Sequence, residues 1–591
     1  MFCGDMPVAS HAMRMSRLLL RTRRDAPADA EAASHRLLIR AGYIRRTSSG
    51  VHAFLPLGRR VLANVERVVR EELDAAGVQE ILLPALQPRE LWEASGRASV
   101  YEDILFGLEG RGGRMVLGPT HEELATVTVS ADVESWRDLP VSVYQVQTKF
   151  RDEARPRFGL LRGREFLMAD AYSFDPDEAS MAESYRLIHD AVCRVFDRCG
   201  IEYRAVEADS GGMGGSVSHE IMVPSPIGED HFALCPACGW AANTEVASSG
   251  GQPPSMSIEP PPAARVRPTS ETDSPLPELV LHHTPGAPGI EAVVEYFRDQ
   301  GLTAEGMLKC IALLDAAGGV VLALVPGDRE VLVSRTAPGG RPFEDADFAE
   351  HPELVKGYIG PMGMVEQGVR VVADHSVARR PSWVTGANRA DHHVSGATAG
   401  RDFQVGEWAS IATIAAGDPC PACAARVELV RAVEAAHTFQ LGRRYSDVLE
   451  GASFMDESGA EAPFWMGCYG IGVSRLVAIV AEATHDEAGL CWPPALAPYA
   501  VHLVSLGASE DVLGASQALY RDLGAAGVSV LWDDRPASAG VKFADADLVG
   551  IPVQVLVGAR GLAKGVVEVK NRATGERSEL APGELAGTLP L

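Results

Sequence analysis

The stretch Thr148–Phe174, TKFRDEARPRFGLLRGREFLMADAYSF, decides how the chain is read. VYQVQTKFRDE has the composition of a strand, and REFLMADAYSF reads as a returning one. The pair predicts an antiparallel hairpin around a long basic loop, and long loops on rigid scaffolds tend to carry function. From Lys149 to Arg164 there are six basic residues against two acidic ones. Arg151 and Glu153 alternate along the predicted strand and so share a face. With Phe166 returning opposite them, they suit a nucleotide. A guanidinium grips phosphate, a carboxylate accepts from an amine, and a ring stacks on a base. A charged hairpin laced by salt bridges uses the same residues, and the hairpin alone does not separate the two readings.

Bulk properties narrow the class. The 591 residues allow three or four domains at ~150 residues each. A hydrophobic fraction of 46% with 23% charged residues is that of a globular protein. No apolar run approaches the ~18 residues of a membrane span, so no membrane association is expected. The Arg-rich start MRMSRLLLRTRR does not read as a secretory leader, because Asp5 precedes it and Leu18–Leu20 is too short. It suggests an RNA-facing arm or an ordinary helix start. A net charge of −25 argues against nonspecific nucleic-acid binding. Basic clusters at Arg14–Arg24, Arg36–Arg70 and Lys149–Arg164 leave room for a specific RNA partner. Ten cysteines are too few for a disulfide scaffold, which points to a cytoplasmic protein.

Along the chain, residues 29–45 and 58–76 carry apolar residues at helical spacing, with Gly77 as a stop and the strand QEILLPAL, containing Pro84, after it. GPTHEE (118–123) opens on a Gly-Pro turn and runs into a helix that Thr120 and Glu122 could cap. SGGMGGSVSHEIM (210–222) is a glycine-rich turn without P-loop or dinucleotide spacing. CPAC at Cys235 and Cys238 has a twin at Cys420 and Cys423, and two such turns suit a tetrahedral thiolate zinc site. Reduced cysteines or a remnant of a site are the other readings. Residues 247–277 are rich in Pro and Ser and read as a flexible linker. Residues 289–414 then show a helix and strands of their own, an inserted α/β domain. HTFQLG (437–442) ends a strand, and MGCYGIGVSRLVAIVAE (466–482) is a glycine-bearing turn leading into a helix. There Gly470 and Gly472 allow close approach to a ligand, and Arg475 sits near the positive helix end. From Pro498 the pattern becomes βαβ and predicts a mixed five-stranded domain.

Thr148–Phe174 resembles motif 2 of the class II aminoacyl-tRNA synthetases, residues 47–86 resemble motif 1, and residues 466–482 resemble motif 3. GPTHEE, GLLRGREF and GCYGIG together resemble the bacterial-type prolyl enzymes, over nearly the whole chain from Arg14. The implied fold is α/β (α+β). An antiparallel-sheet catalytic domain takes residues 14–235 and 416–497, with an inserted α/β editing domain at 278–415. A mixed α/β anticodon-binding domain occupies 498–591. The implied activity is ligation of proline to its tRNA, with ATP and Mg2+, by a homodimer paired through motif 1.

The resemblance also implies roles. Arg151 holds the α-phosphate and the carboxylate, Glu153 the adenine amine or its ordered environment, Phe166 stacks on adenine, and Arg475 holds the γ-phosphate. Arg162 reaches the γ-phosphate or the acceptor stem, Gly472 approaches ATP, and Gln440 contacts substrate or is simply polar at a strand end. Thr120 and Glu122 bind proline, with Cys468 lining its pocket. Lys309, Gly360, Pro361, Asp374 and His393 mark an editing pocket for mischarged alanyl-tRNA, although Lys309 also suits an edge-strand gatekeeper. Arg535 and Lys542 are candidates for anticodon contacts or ordinary surface charge. Departures from the family pattern are Ile221 for Phe, Leu332 for Asn and Ala169 for Lys. A non-catalytic tRNA-binding or regulatory paralogue would have lost Arg151, Glu153 or Arg475, and all three are present. A complete motif set argues against a stand-alone editing hydrolase. Threonine specificity would need a metal, for which no Cys/His set lies near GPTHEE or motif 3. Whether the chain is an inhibitor-resistant second copy is not written in one sequence.

Overall fold

The computed structural model describes residues 12–28, 30–247 and 276–589, so most of the predicted linker, 248–275, lies outside the described residues. The chain divides into two compact units, Met1–Ala205 with Ser210–Asp230 and Ala432–Leu591, and Val206–Asp209 with His231–Arg431.

The first unit is built on a sheet whose strands run Val217–Pro224, Glu428–Gly442, Trp465–Ile471, Glu165–Asp175, Val141–Phe150 and Gln79–Glu80. Neighbours are antiparallel except the last pair. The hairpin keeps register from Val141 opposite Phe174 to Phe150 opposite Glu165. It stops there, so Arg151 and Glu153 do not alternate on a strand as the sequence suggested. Instead the Arg151 N–H donates to Arg164 O and the Asp152 N–H to Ile104 O, which turns the chain out of the ladder.

Alternation on the returning strand sorts its residues. Ala169 and Ala171 join the core under the helices Ala33–Arg40, Pro56–Ala75, Glu178–Cys199 and Val473–Ala483, while Phe166, Met168 and Asp170 line a cleft on the other face. Ala169 is 1% exposed, so a lysine at this place would meet the core rather than a ligand. The helix Pro56–Ala75 buries Leu57, Val61, Val65, Val68, Val69 and Leu73, one face at 3.6-residue spacing, with Pro at its first turn. The helix predicted at 29–45 is shorter: it ends at Arg40, and Gly42 at φ +77° turns the chain into the hairpin Ile44–Ser48 and Val51–Phe54. The strand QEILLPAL is likewise broken. Only Gln79–Glu80 and Leu86–Pro88 join ladders, because Pro84 has no N–H and the Leu83 N–H is taken by the Gln145 side chain at 3.0 Å.

The C-terminal sheet has the five predicted strands, and a sixth from the other end of the chain. Ala12–Arg14 pairs in parallel with Val530–Trp532 at its edge. Arg14 lies 4.5 Å over the Trp532 ring, and Ser16 Oγ donates to Asp534 at 2.7 Å. The basic N-terminal segment therefore begins as an edge strand rather than as an arm.

The second unit holds a five-stranded sheet in the order Arg341–Pro342, Leu308–Leu314, Val320–Pro326, Arg370–Asp374 and Glu407–Ala409. A three-stranded sheet, Val280–His283, His392–Ala397 and Trp383–Gly386, accompanies it. This unit is wider than 278–415 because the cysteine turns share a small core, Ala233, Cys235, Ala242, Ala247, Ile414, Cys420 and Val427. Among the described residues no helix is long and apolar enough to cross a membrane.

Candidate active site

The cleft of the first unit consists of two adjoining cavities of about 220 and 290 Å³ that share Arg151, Glu434 and Arg475. The first is lined by Thr120, Glu122, Phe166, Asp170, Cys468 and Gly472 among others. The second is lined by Glu153, Phe158, Arg162 and Glu229 among others. The predicted residues of GPTHEE, motif 2 and motif 3 thus converge, apart from Gln440. That residue lines neither cavity, and its carbonyl instead accepts from the Ser216 N–H at 3.1 Å. The cleft-facing residues of its strand are Glu434, Ala435, Ala436, His437 and Phe439.

Arg151 is the charge at the centre. Among the described residues its guanidinium forms no ion pair; one amino group donates to Pro119 O at 3.4 Å, and the Phe166 ring lies 5.1 Å away. Burial and then Arg475 lower its affinity for a proton, so an anion placed here would relieve both penalties. Arg475 is fixed by Leu161 O at 2.9 Å and Glu434 O at 2.7 Å, at the start of the helix Val473–Ala483. Burial alone would raise the Glu434 carboxyl, but His437, Arg475 and Arg151 hold it down at about 2. The salt-bridged reading of the loop applies to Arg162, which donates to Glu153 at 2.9 Å and Glu229 at 2.8 Å.

At the other end, Thr120 donates to Glu122 at 2.7 and 2.8 Å, and Cys468 Sγ donates to it at 3.1 Å. Neither Thr120 nor Glu122 caps the helix Glu122–Ser130, which has no side-chain cap. Sequence reasoning missed the charges behind them. Arg97 pairs with Glu122 at 2.9 Å and Glu123 at 3.1 Å, all three wholly buried. Lys149 lies 2.7 Å from Asp170 and 2.6 Å from His121 Nδ1, while His121 Nε2 meets Pro84 O at 3.1 Å. Asp170 also accepts from Tyr172 at 2.6 Å and Gln145 at 2.9 Å. The one available signal was charge on strand and helix positions whose neighbours are apolar.

In the second unit, His393 and Gly360 meet around Gly386: His393 pairs with it in register, and a Cβ on Gly360 would sit 1.9 Å from its carbonyl oxygen. Pro361 follows Gly360, which is held to Asn388 by bonds of 2.7 and 2.9 Å. His393 shares a 2.7 Å hydrogen bond with Thr284 Oγ1, and burial, then His282, pushes its pKa down to about 4. Lys309 donates to Glu330 at 2.6 Å. Asp374 is spent internally, accepting from the backbone N–H groups of Ser376, Ile411 and Ala412 at 2.8–2.9 Å.

The four cysteine sulfurs lie within 4.8 Å of one another, with Cys235 to Cys423 at 3.5 Å and Cys238 to Cys420 at 3.7 Å. The two turns are built alike. The Gly239 N–H donates to Cys235 O and the Ala424 N–H to Cys420 O, both at 2.9 Å, and Gly239 (φ +78°) and Ala424 (φ +61°) are left-handed. In the C-terminal domain neither predicted anticodon residue is free. Lys542, 2% exposed, donates to Ser505 O and Asp533 O, and Arg535 pairs with Asp533 and Asp545. The expectation of an exposed Lys542 was wrong: its position on the helix Ala539–Val549 turns it into the sheet.

A class II synthetase sheet with motifs 2 and 3 around one cleft defines the class, an aminoacyl-tRNA ligase. Residues 106–484 match the tRNA synthetase class II core domain (G, H, P, S and T), and residues 500–590 match the anticodon binding domain. The chain is 47% identical over 587 residues to proline–tRNA ligase 1 of Streptomyces avermitilis, covering 98% of this chain and 100% of that one. It is 47% identical over 578 residues to the proline–tRNA ligase of Streptomyces coelicolor, covering 97% and 98%. The chain belongs to the bacterial-type proline–tRNA ligases. Its fold is similar to Giardia lamblia prolyl-tRNA synthetase solved with prolyl-adenylate, with a TM-score of 0.54 and 16% identity over 93% of this chain and 74% of that one. A similar likeness, TM-score 0.55 at 14% identity over 94% and 76%, holds for the Cryptosporidium parvum enzyme complexed with halofuginone and AMPPNP.

The site carries a pH dependence. Burial, then Lys149, pushes the His121 pKa down from 6.5 to about 4. The unfolded chain therefore binds a proton there near pH 6.5 that the folded chain takes only near 4. The stability this contributes is full above 6.5 and is lost as pH falls towards 4, by roughly 2–3 kcal/mol. Urea midpoints measured from pH 7.5 to 4.5 should fall less steeply for His121→Gln; an equal slope would remove His121 as the cause.

Proposed function

We propose that this cleft activates proline with MgATP and passes it to the 3′ end of tRNA(Pro). The observation that carries the reading is the half-buried Arg151 guanidinium, which lines both cavities and has no ion-pair partner among the described residues. Thr120 and Glu122 receive the substrate ammonium, with Cys468 against the ring, and Arg151 holds the carboxylate beside the α-phosphate. The carboxylate attacks the α-phosphorus in line, pyrophosphate leaves, and the terminal ribose hydroxyl of the tRNA then attacks the mixed anhydride. Neither step needs a protein nucleophile; positioning and charge stabilisation suffice. Phe166 stacks on adenine, Glu153 accepts from its amine, and Arg475 and Arg162 hold the γ-phosphate, with Gly472 giving room. Mg2+ enters with ATP, and Glu434 beside Glu220 offers the oxygen donors that suit it. Pyrophosphate exchange should be strong with proline, weak with alanine, absent with threonine, and reduced by roughly 1,000-fold or more in Arg151→Ala. No exchange with any amino acid from folded protein would leave a non-catalytic tRNA-binding paralogue.

The partner set follows. The exposed Leu82 and Leu86, beside buried Leu83, support a homodimer through motif 1. The C-terminal domain reads the anticodon, in the cytoplasm where its tRNA is. Hydrolysis of alanyl-tRNA(Pro) in the second unit is supported by a physical need: a proline pocket cannot strongly reject smaller alanine, since a missing methylene costs only ~1–3 kcal/mol. His393, neutral at pH 7, and Gly360 would form that pocket, with Lys309 and Asp374 at the end of the neighbouring sheet. His393→Ala should stop deacylation of alanyl-tRNA(Pro) and leave proline exchange intact; unchanged deacylation sinks this role.

The four cysteines fit a structural zinc. Bonds of ~2.3 Å in a tetrahedron separate the sulfurs by ~3.8 Å, close to the spacings found. The metal would supply a cross-link between two turns 182 residues apart in sequence. Purified protein should hold about one zinc per chain by elemental analysis. Cys235→Ser with Cys420→Ser should lose it and destabilise the second unit, and metal-free wild-type protein of equal stability would refute it.

A further inference from the structure

The ammonium end of the pocket contains more charge than a single Glu–ammonium contact requires. Glu122 and Glu123 are consecutive on the first turn of their helix, and both are wholly buried. Side by side in a low dielectric they repel, and neither is where a carboxylate would settle unaided. Arg97 answers both with one nitrogen. Its Nη1 donates to Glu122 Oε2 at 2.9 Å and to both oxygens of Glu123 at 3.1 Å. The guanidinium has little freedom to do otherwise. The Trp92 and Tyr101 rings lie 4.8 and 4.6 Å from its carbon, Tyr445 lies 5.5 Å away, and Nη2 meets Met213 Sδ at 3.1 Å. Ser95 pins Glu123 from the far side at 2.6 Å.

Only one member of this group faces the cavity. Glu122 lines it, whereas Arg97 and Glu123 do not. The charge states divide the same way. Burial would raise the Glu122 carboxyl, but Arg97, Thr120 and Cys468 outweigh it and hold it below the ordinary range. Burial, joined by the Glu122 charge, leaves Glu123 above that range despite Arg97. The cluster thus keeps one ionised oxygen set towards the cavity and relieves the repulsion at the residue behind it.

We propose that Arg97 is a positioning residue for amino-acid selection, clamping Glu122 between itself, Thr120 and Cys468 so that its carboxylate presents a fixed acceptor to the substrate's secondary ammonium. This rests on the reading that Glu122 receives that ammonium. A fixed acceptor favours an ammonium whose N–H directions are set by a ring over one that rotates freely, because the rigid partner has less freedom to lose on binding. Arg97 touches no substrate and acts only through Glu122.

Pyrophosphate exchange with three variants tests this. Arg97→Met should raise the KM for proline by roughly 100-fold and Arg97→Lys by roughly 10-fold, since removing the cation from a buried pair costs more than loosening it. The KM for ATP should stay within about threefold in both, because Arg97 is remote from the phosphates in this scheme. In Arg97→Met the acid limb of kcat/KM for proline should also move to higher pH, as Glu122 loses the cation that keeps it ionised. If Arg97→Met does not fold, Arg97→Lys decides. An unchanged proline KM in folded Arg97→Lys overturns the inference, and so does a parallel rise in the KM for ATP, which would mark a merely structural role. Glu122→Gln separates the premise: if it leaves the proline KM unaltered, the reading of Glu122 fails, whereas a large effect there with none at Arg97 overturns this inference alone.

Discussion

The site depends on a half-buried cation, Arg151, that forms no ion pair among the described residues. Among the described residues the buried arginines are paired, Arg97 with Glu122 and Glu123 and Arg572 with Asp486, and so is the half-buried Arg329 with Asp418. Arg151 forms no ion pair among the described residues, and burial, then Arg475, lowers its affinity for a proton. A fold tolerates such a group only if surrounding structure over-determines it, and here the ladder ends immediately before it. Phe150 is the last paired residue, Arg151 N–H is held by Arg164 O, and Phe166 lies against the guanidinium. On the proposed reading, a carboxylate or phosphate placed against Arg151 would offset that cost.

The sheet is what makes that arrangement rigid. Its alternation sends Ala169 and Ala171 into the helical core and Phe166, Met168 and Asp170 into the cleft. Behind the cleft face, Asp170 gathers Lys149, Gln145 and Tyr172, and Lys149 in turn meets His121, whose other nitrogen reaches Pro84. Gln145 also holds the Leu83 N–H. The broken strand around Pro84 is therefore tied by side chains where ladder bonds are missing. This accounts for polar residues at positions that an apolar strand would otherwise fill.

Much of this was legible in the sequence, for identifiable reasons. The hairpin, the long helix within motif 1 and the βαβ pattern of the C-terminal domain all follow from periodicity, which is a local property. Arg151, Glu153, Phe166 and Arg475 stand in motifs whose spacing survives folding unchanged. What the sequence withheld is non-local. Arg97 lies 25 residues from Glu122 and its importance exists only once both are buried. The N-terminal strand finds a partner over 500 residues away, which no window can reveal. Lys542 was misjudged for the opposite reason. A lysine in a polar-looking helix reads as surface charge, but this helix turns its ammonium onto two carbonyl oxygens under the sheet.

The same distinction bears on how the two ends of the cleft recognise charge. On the proposed reading, the end of the cleft that takes the phosphates supplies cations, Arg151 and Arg475, which the ligand would complete. At the ammonium end the protein supplies a complete internal set, Arg97 with two carboxylates, of which one oxygen pair is turned to the cavity. An incomplete site gains most of its energy from the ligand's charge, and so binds many anions. A completed site can add an ammonium only where geometry leaves a free acceptor direction, because the charge requirement is already largely met. If Glu122 receives the ammonium as proposed, discrimination among amino acids is better placed at that end, where Thr120 and Cys468 restrict the same carboxylate that Arg97 holds.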